Sequence, residues 1–315
     1  MNLIVCKGLA LFLICFLSFV ELSAQHSPIK ITSEKNSNDS YTFYAENSSP
    51  LPYVVTINFT ALFNLNSGRP LPYSANVSPG RSRLVNLSPT ISGQRTSFRY
   101  SYRYHSGCLR TNPENIEYLL PYPEGKKAVG GRLSNISDWI GQDPPEDWYS
   151  VVFYVDEEQD TEITAIRKGR VIAVRDAENT TSENLLFTTD RNYVTLLHDD
   201  CTFARYSTFR ENGIYVKEGD YLYPGDPIGM VAGSEYRFGN QIRVMVYYRN
   251  DASISFHRGD VDGVHNWKYV KPLFRTAASE SELIEVNQEY ISIHPEDVIT
   301  SEMSRRERRR WARHN

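Results

Sequence analysis

Four residues in one short stretch have types that bind metal: His257, Asp260, Asp262 and His265 in HRGDVDGVH. Mixed imidazole and carboxylate could hold zinc, and the two carboxylates could hold calcium. The spacing fits no named metal motif. Gly259, Asp260, Asp262 and Gly263 equally make a plain turn between strands, which is the reading adopted. A second pair with chemical potential is Gln241 and Arg243. At i and i+2 of a strand they project to one face. A guanidinium offers only donors and stays charged, so this face would repel a cation and accept a carboxylate. Between His105 and His198 there is no histidine at all, which removes one ligand type from nearly a hundred residues.

The elements that must position these residues read as β. Tyr193, Thr195 and Leu197 alternate against Val194, Leu196 and His198, the period of a strand. Asp199 and Asp200 turn the chain, and residues 202–209 return as a second strand. Two apolar runs then end in Gly219-Asp220 and Pro224-Gly225-Asp226, residues that tolerate tight turns. On the strand from Gln241 to Tyr248, Ile242, Val244 and Val246 form the face expected to be buried. Gln241, Arg243 and Met245 then point towards an open groove, and Gln241 and Arg243 are binding candidates for a carboxylate.

Upstream, short alternating runs such as Tyr53/Val55/Ile57/Phe59 and Phe98/Tyr100/Tyr102/Tyr104 are separated by turn clusters. This cadence predicts an immunoglobulin-like antiparallel sandwich over residues 25–115, its tyrosines serving as core and cross-strand pairs. Residues 116–147 are rich in Pro and Gly and are expected to form a linker with little regular structure.

The rhythm Val216-Lys217-x-Gly219-Asp220 followed by Pro224-Gly225-x-x-Ile228-Gly229 is shared by biotinyl and lipoyl carrier domains and by lysostaphin or LytM-type zinc peptidases, where it belongs to a duplicated hybrid motif. A carrier needs an exposed lysine at a hairpin tip, and Met230-Val231-Ala232-Gly233 offers none. The longer match, through residues 164–174, 194–209 and 216–233, resembles the peptidases, as does the lead-in Leu120-Pro121-Tyr122-Pro123-Glu124-Gly125-Lys126. The resemblance covers residues 146–250, about a third of the chain, and implies a LytM-like domain over residues 148–252.

That family holds one zinc through a His-x-x-x-Asp strand and the second His of a His-x-His strand. The first His of that pair and a further His assist the attacking water. Carried over residue by residue, Ser150 and Tyr154 stand at the His and Asp of the first strand. Gln241 and Arg243 stand at the His-x-His pair, and Thr208 stands at the further His. His198 matches a family histidine outside the metal shell and is expected to be structural. All five functional positions differ, so the resemblance is to a degenerate member with no zinc and no catalytic residues.

Length and composition complete the outline. A chain of 315 residues with 40% hydrophobic residues, 21 Tyr and 14 Phe suits two mainly β domains with appendages. Its net charge of −4 argues against a nucleic-acid binder. Residues 1–24 have Lys7, an apolar run over 8–20 and Leu22-Ser23-Ala24, the layout of a cleavable secretory signal; an uncleaved anchor is the alternative. Export would remove Cys6 and Cys15 and leave Cys108 and Cys201 in an oxidising compartment. Two separately buried thiols are the expectation there, and a disulfide stapling the two domains is the alternative. Residues 253–315 should supply further strands, a hairpin over 283–293 and, after His294-Pro295, a helix. Its first turn would take Ser301, Glu302 and Ser304, and its arginines would favour the C-terminal end. Contact of this basic tail with a membrane or wall polymer is weighed against a solvated helix end.

The expected function is that of an exported cell-envelope protein that is periplasmic or extracellular. Its peptidase-like domain would bind peptidoglycan or regulate a wall hydrolase. The alternatives are an active zinc endopeptidase with displaced ligands and a purely structural envelope module.

Overall fold

The computed structural model describes residues 27–113, 115–132, 143–155, 161–179, 185, 191–233, 235–254 and 264–313. The expected signal over 1–24, and His257, Asp260 and Asp262 of the metal-like stretch, lie outside the described residues.

The chain is mainly β. Its first seven strands are β1 (Ile29–Lys35), β2 (Tyr41–Asn47), β3 (Tyr53–Phe63), β4 (Leu65–Asn66), β5 (Tyr73–Val77), β6 (Gly80–Pro89) and β7 (Ser97–Ser106). They form two antiparallel sheets, ordered β1-β2-β6-β4 and β5-β3-β7. Between them lies a core that includes Ile31, Phe43, Val55, Ile57 and Leu87. The expected alternation is visible in this core. Phe43 meets Phe59, Phe98 and Tyr100 edge to face at 5.0–5.4 Å, the geometry favoured by ring quadrupoles.

The second body is built from β8 (Glu117–Leu119), β9 (Lys127–Arg132), β10 (Val151–Tyr154), β11 (Glu162–Thr164), β12 (Gly169–Arg175) and β13 (Asn192–Leu197). It continues with β14 (Phe203–Ile214), β15 (Tyr221–Leu222), β16 (Pro227–Val231), β17 (Gln241–Arg249), β18 (Trp267–Val270), β19 (Leu273–Arg275) and β20 (Glu289–Ile291). The main sheet runs β15-β12-β13-β14-β17-β10-β9-β20, with β16 bridging β14 to β11 and β18 flanking β17. Val151, Phe153, Ile163, Ile166, Val194, Leu196, Tyr206, Ile242 and Val246 are fully or nearly fully buried in its core. Both turn motifs close in the same way. The Lys217 amide donates to Asp220 Oδ2 at 2.9 Å and the Tyr223 amide to Asp226 Oδ2 at 2.7 Å. Gly219 and Gly225 supply the positive φ that each turn requires.

Three sequence expectations change here. Residues 116–147 are not structureless: β8 pairs in parallel with β19, and β9 sits in the main sheet between β10 and β20. Its glycines are there for close packing, since a Cβ on Gly131 would lie 2.5 Å from the Tyr154 ring. The segment after residue 283 is no hairpin, because β20 pairs with β9 instead. The tail holds two short helices, α1 (Glu296–Thr300) and α2 (Arg305–Trp311), rather than one. Ser304 caps α2 in a capping box with Glu307, which fixes the start of the helix after Ser301 and Glu302 rather than at them.

Cys108 and Cys201 are joined in a disulfide, Cα–Cα 6.2 Å, so the expectation of separate thiols gives way. Cys108 follows β7 and Cys201 occupies the β13–β14 turn, which ties the sandwich to the second body. Arg249, 1% exposed, reinforces the joint by donating to Ser106 O at 2.7 Å and Ser106 Oγ at 2.9 Å. No helix among the described residues is long and apolar enough to cross a membrane.

Candidate functional site

Register brings together the residues singled out from the resemblance. In the antiparallel β10–β17 pair, Val152 faces Arg243 and Tyr154 faces Gln241. On the other side of β17, Ser207 of β14 faces Arg243. Directly paired residues share a face of the sheet. Parity along β10 and its N-terminal extension therefore puts Ser150 and Tyr154 on the face of Gln241 and Arg243, diagonally on either side of Arg243. Thr208 joins them at a bulge: Phe209 pairs with Asn192 and Ser207 with Tyr193, so Thr208 is the extra residue, at φ 92°.

The face is covered. Gln241, Arg243 and Thr208 are each 2% exposed and Ser150 is 3%. The expectation of Gln241 and Arg243 as side chains offered to a ligand in an open groove is therefore corrected. β17 is an interior strand with both faces packed, and a polar side chain there meets protein rather than water. Over Arg243 lies Tyr236, with the guanidinium 4.9 Å from the ring centroid. Ser150 Oγ donates to Val244 O at 3.4 Å. Phe238 packs edge-on to the Tyr154 ring.

Two further arginines belong to this site and were not singled out from sequence. Arg205 shares the face through its pairing with Met245 and stacks 3.7 Å from the Tyr193 ring centroid. Arg191 is pushed down to about 10 by burial first and by the charges of Arg243 and Arg205 second, with Tyr236 opposing. Burial also lowers Arg243 and raises the phenol of Tyr154, so Tyr154 is a neutral hydroxyl near pH 7. Only the strand register could have revealed Arg205, and the signal was weak.

This donor set does not fit zinc. Zinc takes neutral imidazole, thiolate or carboxylate, with one position left for water. Here the matching positions carry two hydroxyls that are not ionised, a carboxamide, a phenol and a guanidinium. Among the described residues no group of three or more His, Cys, Asp or Glu could hold a metal ion. His265 lies in a 3₁₀ turn over Val264–Asn266. His198, 2% exposed, places Nδ1 2.7 Å from Lys168 O, the structural role expected of it.

The chain matches no family model and no curated protein. Among solved structures it is similar to a putative glycyl-glycine endopeptidase lytM from Ruminococcus gnavus, at 11% identity and TM-score 0.27, covering 43% of this chain and 54% of that one. The chain thus spans about half the length of that structure. It is also similar to a putative peptidase M23 from Pseudomonas aeruginosa, at 12% identity and TM-score 0.26, covering 69% of this chain and 87% of the other. A zinc containing peptidase from Vibrio cholerae gives 13% identity and TM-score 0.29, covering 69% and 82%. At these identities and scores the likeness bears on neither activity nor substrate.

Proposed function

We propose that this chain is an exported, non-catalytic cell-envelope protein whose LytM-like domain binds peptidoglycan or regulates a wall hydrolase. The observation that carries the non-catalytic half is Arg243, a guanidinium 2% exposed at the strand position where the resembling family places a zinc ligand. A permanent cation with Arg191 and Arg205 in Coulomb range opposes a divalent ion there. The five family positions also supply no general base: each hydroxyl, amide or guanidinium among them is a poor proton acceptor near pH 7. The envelope half rests on the turn rhythm, the Leu-Pro-Tyr lead-in and the signal-like first 24 residues. A disulfide between Cys108 and Cys201 suits the same compartment.

With Gln241 and Arg243 under cover, recognition falls to the outer surface of the second body, and their task is to hold the strands in place. The test is sedimentation of the purified mature chain with insoluble peptidoglycan, alongside an assay of a purified wall amidase with and without the chain. Saturable co-sedimentation or a change in amidase rate is expected. Neither effect at micromolar chain would remove the envelope half and leave a structural module.

A further inference from the structure

The two acidic residues of the C-terminal segment are turned inward and its six arginines outward. The net charge of −4 comprises +4 over residues 300–315, six Arg against Glu302 and Glu307, and therefore −8 elsewhere. Glu302 accepts from Arg167 Nε at 2.9 Å and Nη2 at 2.8 Å, and its carbonyl accepts from Lys168 Nζ at 2.9 Å. Glu307 accepts from Tyr223 Oη at 3.0 Å and lies 3.4 Å from Lys168 Nζ. Met303, 5% exposed, is buried between these two anchors. Arg305, Arg306, Arg308, Arg309, Arg310 and Arg313 are all exposed.

Helical geometry explains the sorting. At about 100° per residue, Glu307 and Trp311 fall together on one side and Arg305 and Arg309 on the opposite side, with Arg306, Arg310 and Arg308 flanking them; Arg313 follows the C-cap Ala312. Trp311 is half-buried, in keeping with the inward side. Of the outward six, Arg308 also donates to Ser301 O at 3.3 Å. Crowding like charges on roughly two turns costs self-repulsion, and the fold holds them there through buried ion pairs instead of letting the tail disperse them.

We infer that α2 is a docking face for an anionic phospholipid bilayer. The charge complementarity is local: the second body carries −13 over residues 116–299, against +4 over residues 300–315, so on that body an anionic surface is drawn to this end. The exposed arginines spread over a broad arc of a short helix, a shape that suits an extended plane of headgroups better than a single small anion. The side chain that could insert, Trp311, faces the protein, so the contact is electrostatic, peripheral and salt-sensitive. This inference does not depend on the peptidase-like site.

The experiment is vesicle co-sedimentation of the full mature chain with phosphatidylglycerol/phosphatidylcholine (3:7) and with pure phosphatidylcholine. Binding is expected only to the anionic vesicles and is expected to vanish in roughly half-molar salt, where screening shortens the Debye length to a few ångströms. Arg305, Arg306, Arg309 and Arg310 replaced together by Gln should weaken binding by more than about tenfold. The same four replaced by Lys should retain it, which separates charge from any folding defect. Absence of binding to anionic vesicles, or equal binding by the Gln variant, would overturn the inference. So would preferential retention by purified wall polymer or duplex DNA in a competition with the vesicles.

Discussion

Arg167, 1% exposed, grips the carboxylate of Glu302 with two nearly parallel bonds of 2.9 and 2.8 Å across 135 residues of sequence. It also donates to Asp200 Oδ2 at 2.9 Å. A bidentate pair of this kind holds the tail against the start of β12 and the β13–β14 turn. Removing one partner leaves a buried cation short of its neutralisation, so Glu302→Gln is expected to cost about 3 kcal/mol. It should also free α2 for rapid tryptic cleavage at its arginines. Urea denaturation and limited proteolysis would check this. Unchanged stability together with unchanged cleavage would show that the tail is held by something else.

Acid should loosen the same region. His198 is pushed down to about 4, by burial first and by the Arg167 charge second. The unfolded chain protonates this imidazole near pH 6.5, and the folded chain does so only near pH 4. Between those values the unfolded state binds the extra proton, so stability falls as pH drops through that window, by up to roughly 3 kcal/mol. Glu307 adds to this lower down. Its hydrogen bonds with Ser304, with help from Tyr223 and Lys168, hold it at about 2. Its contribution is present above the ordinary glutamate value and is lost as pH falls from about 4.5 towards 2. NMR titration should show the His198 ring still neutral at pH 5.5. A protonated ring at that pH would remove the first part of the effect.

Much of the fold was legible because it follows period-2 alternation and turn chemistry. Phe43, Val55, Ile57, Val194, Leu196, Ile242 and Val246 are all buried as their spacing requires. The same rule failed on the other face of β17. Polar residues there were expected to face water, but an interior strand covered on both sides buries Gln241 and Arg243 as deeply as Val244. In residues 116–147, Pro and Gly concealed β8 and β9, since Gly131 is required by the Tyr154 ring rather than by a turn. The grip of Arg167 on Glu302 left no local trace at all. It joins residues 135 apart, and each alone reads as an ordinary surface charge.

Thr208 carries backbone strain. A β-branched residue at φ 92° is a real outlier, and its Oγ1 is buried without a hydrogen-bond partner among the described residues. Thr208→Gly removes the conformational conflict and the orphaned hydroxyl together. The variant is expected to gain about 1 kcal/mol in chemical denaturation despite losing a buried methyl. A loss of that size or more would mean that the side chain packs better than its backbone suggests.

The central claim is that the sheet face around Arg243 is not a zinc site, and elemental analysis of the purified chain tests it most directly. The expected result is no stoichiometric zinc, no hydrolysis of peptidoglycan or oligoglycine, and a melting temperature that chelator leaves unchanged, since a metal bound only to the folded state would stabilise it by mass action. About one zinc per chain, lost to chelator together with a hydrolytic activity and several degrees of melting temperature, would contradict the account.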